Sequence, residues 1–272
     1  MAPAGAAGVL GVWGKPTSTL DWCEENYAAT PYIAELWNSV SSVVIIGIPT
    51  VMLVSLSRYK VERRFYVACF CFLAVGIGSL AFHMTLLYET QLMDELSMIW
   101  GGCVLVYLFY DSNSKPNSYN LPLVAFLLIY AVSVTCIYIL TKQPVFHQIA
   151  FALQIVFIGL RGIHCYRINK HAHSGSLLLL ALTLYIFGFI LWMIDQELCT
   201  QIRYIRAFIP APVDAIFQLH AWWHVLAGLG SHCLLTFCYL SRYKLLKRNA
   251  QIWTLGCLPL VAVDTVENGH TL

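Results

Sequence analysis

Charge is scarce in this sequence. Only 11% of its 272 residues are Asp, Glu, Lys or Arg, against about 25% in an ordinary soluble domain. A chain this poor in charge and 59% hydrophobic is neither disordered nor suited to life as a soluble globular enzyme. A net charge of +2 gives no reason to expect a nucleic-acid partner. Other absences narrow the field. No basic segment precedes an apolar core near the start, so no cleaved signal is expected. No internal repeat or low-complexity tract stands out. With a mean hydropathy of +0.69, the remaining class is a polytopic membrane protein.

A bilayer crossing needs about 20 mostly apolar residues. Seven stretches qualify: 34–57, 65–87, 92–110, 120–141, 145–164, 176–195 and 213–240. They predict an all-α, seven-helix transmembrane bundle with a 1–33 segment before it and a 241–272 tail after it. Of the sixteen Lys and Arg, twelve fall on one side, including Arg58, Arg63, Arg64, Arg167, Arg242 and Lys244. Lys15, Lys142, Arg203 and Arg206 fall on the other. Basic residues favour the cytosol, so the N-terminus is expected to be lumenal or extracellular and the C-terminus cytosolic. Of the ten cysteines, only Cys23 and Cys199 lie in lumenal segments. Disulfides persist in that compartment, which predicts a Cys23–Cys199 bridge, two free thiols being the alternative. The polar run 111–120 reads as a loop of turn formers. The tail begins apolar, too short to span, and is expected to lie against the membrane or fray.

Ionisable residues inside a bilayer are costly and therefore candidates for function. Span 2 carries Ser79 and His83, span 3 opens with Asp94 and Glu95, and span 7 opens with His220 and His224. Residues four apart share a helix face, so His220 and His224 point one way, and so do Ser79 and His83. Two imidazoles one turn apart are a common half of a zinc site. The soluble His-Glu-x-x-His version is absent, since Ala221 stands where its glutamate belongs. In the alternating topology, His83, Asp94, His220 and His224 all fall near the lumenal end. Three histidines with an open fourth position are the pattern of a catalytic zinc. Asp94 would stand beside an attacking water, and Ser79 could donate to a developing oxyanion.

Plainer readings exist for each. Asp94 could cap span 3, Ser79 could bond back to its own helix, and Trp222 and Trp223 could form an interfacial belt. His147, His164, His171, His173, His232 and His270 read as packing residues. His232 in particular lies about 12 Å below His224 along span 7. Ahead of span 1, Asp21, Glu24, Glu25, Asn26 and Glu35 gather hard oxygens that suit Ca²⁺. No EF-hand pattern is present, and the spacing fits a solvated acidic segment with helix-capping carboxylates equally well.

Several of these segments together resemble the alkaline ceramidase family. They are Ser18-Thr19-Leu20-Asp21-Trp22-Cys23-Glu24-Glu25-Asn26-Tyr27, Ile33-Ala34-Glu35-Leu36-Trp37-Asn38, Phe82-His83-Met84-Thr85-Leu86 and Gln91-Leu92-Met93-Asp94-Glu95-Leu96. Pro144-Val145-Phe146-His147-Gln148 and Phe217-Gln218-Leu219-His220-Ala221-Trp222-Trp223-His224 complete the set. The likeness covers about residues 16–245. The Ser-x3-His, Asp, His-x3-His combination also marks the wider superfamily of adiponectin and progestin receptors; the acidic N-terminal motif narrows it to ceramidases. The resemblance implies His83, His220 and His224 as zinc ligands, with Asp94 as acid/base and Ser79 as oxyanion partner. It implies a Ca²⁺ site from Asp21, the Trp22 carbonyl, Glu24, Asn26 and Glu35. It further implies hydrolysis of ceramides, membrane lipids, and residence in the endoplasmic reticulum and Golgi. Glu25 does not carry over. Ser97 stands where the family pattern has proline, which predicts a straighter span 3.

Rival classes fare worse. No Asp-Arg-Tyr follows span 3 and no Asn-Pro-x-x-Tyr ends span 7, against a rhodopsin-like receptor. An adiponectin-type receptor carries the opposite orientation. A zinc transporter needs polar residues through the full depth of the bundle.

Overall fold

The computed structural model describes residues 10–59, 61–116, 118–169 and 172–263, with 169, 172 and 173 described by backbone only. His171 and His270 lie outside the described residues. Eight α-helices run in order: α1 Leu36–Leu56, α2 Arg63–Thr85, α3 Tyr88–Tyr110, α4 Leu121–Thr141, α5 Pro144–Asn169, α6 Ala172–Glu197, α7 Cys199–Arg206 and α8 Leu219–Leu245. All but the short α7 are long and apolar enough to cross a membrane, which gives seven spans. α8 is the most buried of them and packs against α6 and α1.

Among the boundaries that differ from expectation, two bear on the site. α3 begins at Tyr88, four residues earlier than its hydropathy suggests. Leu86 takes a left-handed conformation (φ 52°) and closes α2 with an N–H bond to the Phe82 carbonyl. Leu86 and Leu87 alone separate the helices, so the polar Tyr88-Glu89-Thr90-Gln91 run is already helical. Asp94 therefore sits well inside α3 and is not its cap. At the other boundary, residues 213–217 form a separate 3-10 turn, and α8 starts only at Leu219. Gln218, at φ −84° and ψ 79°, breaks the helical path between the two. Ser97 leaves α3 unbroken and bonds the Asp94 carbonyl at 2.7 Å.

Small residues bring the helices close. A Cβ on Gly78 would lie 2.6 Å from the Met93 carbonyl and 2.8 Å from the Asp94 nitrogen. Backbone contact of this kind is how transmembrane helices pack where lipid offers no hydrophobic drive. It fixes α3 at Asp94 against α2 one residue from Ser79. At the opposite end of the bundle the loop charges pair. Arg64 binds Asp111 at 2.6 Å, and Arg242 grips Glu62 at 2.8 Å and the Ser112 and Ser114 carbonyls.

The tail is folded. β1 (Ala250–Leu255) and β2 (Leu258–Val263) form an antiparallel hairpin. Gly256 supplies the positive φ of 59° that its two-residue turn requires. Leu260, Val261 and Val263 are buried in the main core beside α8 and α1. β2, Leu-Pro-Leu-Val-Ala-Val, is apolar throughout, so packing it on the bundle removes more apolar surface from water than leaving it to fray.

Candidate metal centre and cavity

His83 ends α2; His220 and His224 begin α8. All three are buried, and one ring nitrogen of each lies within 4.8 Å of the others. Among the described residues this is the one group of three or more His, Cys, Asp or Glu so arranged.

Their partners fix their protons. Glu35 Oε2 accepts from His83 Nδ1 at 2.5 Å. The Ser41 hydroxyl gives its proton to the Asn38 carbonyl (2.9 Å), so His224 Nδ1 donates to Ser41 Oγ (2.8 Å). In both rings Nε2 is then left as a lone pair, and His83 Nε2 is buried with no hydrogen-bond partner. His220 Nδ1 is likewise buried without one, while the Trp22 indole stacks on that ring at 3.7 Å and 15°. Buried polar groups without partners are rare and costly. Imidazoles oriented through one nitrogen and bare at the other are the donor set of a zinc ion. The residues present fit that metal.

Ser79 is buried beside this cluster and bonds Ser42 Oγ at 2.9 Å. Ser42 already donates to the Asn38 carbonyl at 2.8 Å, so Ser79 is the donor of the pair. Its hydroxyl must swing off Ser42 to serve a substrate oxygen. Asp94, Ser79, His220 and His224 line one end of a cavity of about 570 Å³. Ile48, Met52, Phe72, Leu105 and Leu235 are typical of the rest of its wall.

The N-terminal segment lies across this end. Thr19 bonds Gln91, and the nitrogens of Ala34 and Glu35 bond the Met84 and His83 carbonyls. Asp21 Oδ1 accepts from the Trp22 nitrogen and Asn26 Nδ2, both at 3.1 Å. Glu24 caps α1, accepting from the nitrogens of Trp37 (2.7 Å) and Asn38 (2.9 Å). Burial pushes the Glu24 carboxyl up to about 8, with the Glu35 charge adding to it. Burial, then the charge of Asp21, holds Glu35 well above the ordinary carboxylate range. Asn26 Oδ1 and Glu35 Oε1 are buried without partners. Mutually repelling carboxylates with oxygens to spare fit a hard cation. Glu25 faces outward, ion-paired to Arg206 at 2.9 Å.

Cys23 and Cys199 are disulfide-bonded, and the other eight cysteines are free. Arg203 and Arg206, from the same short α7, bind the Cys23 carbonyl at 3.0 and 2.6 Å. Asp195, outside the candidates that spacing marks, joins two parts of the site. Its oxygens accept from the Cys23 nitrogen (3.1 Å) and the His220 nitrogen (3.3 Å). The rule that picked out Asp94, an ionisable residue at the end of a span, applies equally to it. Ser41 and Ser42 carried no such signal. Three of the remaining histidines can be placed. His147 bonds the Glu95 carbonyl and His232 the Pro259 carbonyl, each at 2.7 Å, and His164 is exposed.

A family model described as Ceramidase matches residues 14–262. The chain is 38% identical to mouse "Alkaline ceramidase 3" over 97% of its length and 98% of that protein's. It is 36% identical to yeast (Saccharomyces cerevisiae) "Alkaline ceramidase YPC1" over 82% of its length and 76% of that protein's. Against Arabidopsis thaliana "Alkaline ceramidase" the identity is 29%, covering 95% and 98% of the two chains. With the family match spanning nearly the whole bundle, this membrane protein belongs to the alkaline ceramidase family.

Proposed function

We propose that the protein is a zinc-dependent amidase that hydrolyses the N-acyl bond of ceramides to a sphingoid base and a fatty acid. The observation that carries this reading is the meeting of three buried histidines, two with bare ring nitrogens, at one end of an apolar cavity inside a membrane bundle.

His83, His220 and His224 would hold the zinc, which as a Lewis acid makes water nucleophilic near neutral pH and polarises a carbonyl. The Asp94 carboxylate takes the proton that the attacking water loses and returns it to the amide nitrogen as the C–N bond breaks. The water oxygen stays on the acyl carbon, so the products are a carboxylic acid and an amine, and the balance closes. The Ser79 hydroxyl turns from Ser42 to the carbonyl oxygen as negative charge builds there. Asp21, the Trp22 carbonyl, Glu24, Asn26 and Glu35 would hold a calcium ion. That ion would offset the repulsion among the carboxylates and pin the N-terminal segment over the histidines.

The cavity suits a two-chain lipid. Ile149 and Val156 of α5 and Ile186, Phe189 and Ile190 of α6 line it while remaining exposed on the bundle surface. Substrate therefore reaches the site sideways from the bilayer. The basic-residue asymmetry supports a lumenal N-terminus, and the Cys23–Cys199 bridge supports an oxidising compartment for that end. Endoplasmic reticulum and Golgi membranes meet both conditions.

The test is fatty-acid release from long-chain ceramides by purified protein, with and without calcium, beside His220→Ala. Wild type should release fatty acid, and His220→Ala should fall to background with its zinc content lost. A folded, zinc-loaded wild type inactive on every ceramide would favour a receptor of the adiponectin and progestin superfamily instead.

A further inference from the structure

The deep end of the cavity is bounded by α8 residues far from the reacting ones. Along α8 the cavity wall runs through His220, His224, Ala227, Ser231, His232 and Leu235. At about 1.5 Å per residue that stripe is roughly 22 Å long. The cavity is thus a deep slot with the histidine cluster at one end and His232 and Leu235 at the other.

His232 is buried and its ring is held from behind. A carbonyl oxygen can only accept, so His232 Nε2 donates to the Pro259 carbonyl at 2.7 Å. Thr236, one turn further along α8, donates to the same oxygen at 3.4 Å. Pro259 belongs to β2, paired with Thr254 of β1. Two side chains one turn apart thereby clasp one carbonyl and lock the hairpin in register on α8. Leu260 and Val261, the next two residues of β2, are each 1% exposed, so the clasp is anchored in the core. The hairpin residues do not line the cavity; His232 does, and the hairpin fixes where that ring stands.

We propose that the C-terminal hairpin, by holding His232 across the deep end of the slot, sets the length of alkyl chain the protein accepts. The inference rests on the amidase reading for its substrate, but the geometry needs only that an alkyl chain occupies the cavity. A freely rotating apolar side chain would make a soft floor. A ring tied to a buried backbone carbonyl makes a hard one, because displacing it strands the carbonyl. In an apolar pocket, room for one methylene more or less changes discrimination by about 10-fold or more.

The experiment compares wild type, His232→Ala and Leu235→Phe on two ceramide panels. One varies acyl length on a fixed sphingoid base, and the other varies the base under a fixed acyl chain. The readout is the ratio of kcat/KM for long over short chains, which does not change if a variant merely folds less well. His232→Ala should raise that ratio by about 10-fold in one panel, and Leu235→Phe should lower it in the same panel. Unchanged length profiles for both variants overturn the proposal. If wild type hydrolyses no ceramide, the amidase reading has failed. The proposal is then decided by the alkyl-chain lengths of lipid extracted from the three purified proteins: a shift upholds it and identical lengths overturn it.

Discussion

Glu35 Oε2 lies 2.5 Å from His83 Nδ1, both side chains fully buried. One carboxylate thus belongs at once to the acidic N-terminal cluster and to the histidine centre. Its second oxygen, Oε1, has no hydrogen-bond partner. Whatever occupies the acidic cluster therefore acts on the histidine centre through a single side chain.

Glu35→Gln should consequently fail in two ways. Losing a partner that orients a zinc-binding histidine typically costs about 10–100-fold in affinity or activity. Zinc content and fatty-acid release should fall together by that order, and added calcium should no longer raise activity. A Glu35→Ala protein with normal release and a normal calcium response would sink the coupling.

Ser79 and Ser42 share one hydrogen bond but have different predicted roles. Ser79→Ala should lower kcat by about 10²–10³ with KM little changed, the signature of a lost oxyanion donor. Ser42→Ala frees the Ser79 hydroxyl and should leave kcat within a few-fold of wild type. Steady-state kinetics on one ceramide separates the two. Equal losses would reduce Ser79 to a packing residue.

Calcium should matter more as pH rises. The Glu24 carboxyl is raised by burial from 4.5 to about 8, so the folded, metal-free protein holds its proton more tightly than the unfolded chain does. That stabilisation is complete below about 4.5 and is lost as pH climbs through about 8. A cation that favours the ionised form reverses the trend. The Tm in chelator should fall from pH 5 to pH 9, and the gain in Tm on adding calcium should grow over the same range. A calcium effect independent of pH would remove Glu24 from the site.

The Cys23–Cys199 bridge closes a sequence separation of 176 residues. Removing a native disulfide typically costs about 2–5 kcal/mol. Cys199→Ser should lower the Tm and weaken calcium affinity. Zinc should be retained, since its three histidines sit on helices and Arg203 and Arg206 still grip the Cys23 carbonyl. Thermal unfolding and metal analysis of the variant check both halves. Loss of zinc with the bridge would show that the segment itself maintains the centre.

Seven spans, a lone cysteine pair on one side and a His-x3-His turn were legible because each is a local pattern. Hydropathy over about 20 residues reports the bilayer, and four-residue spacing reports a helix face. That His83 and Asp94 share a level with His220 followed from alternation of the spans. Ser41, Ser42 and Asp195 were not legible as partners. A serine on an apolar helix looks the same whether it bonds its own backbone or a histidine 183 positions away. The start of α3 and the packing of the tail are not legible in the sequence for a related reason. Helix ends turn on a single residue such as Leu86, and a short apolar run such as Leu258–Val263, buried at three successive positions, carries no strand period to mark it.

The sequence by itself determined that this chain lives in a membrane, how often it can cross, and which side chains are too costly to bury there without purpose. Only the tertiary structure decided what those side chains meet. The Glu35–His83 contact, the Trp22–His220 stack and the His232–Pro259 clasp each join residues from different elements. Hydropathy and spacing act along the chain. Hydrogen bonds and ring contacts act across the bundle, at distances that only the packed helices set.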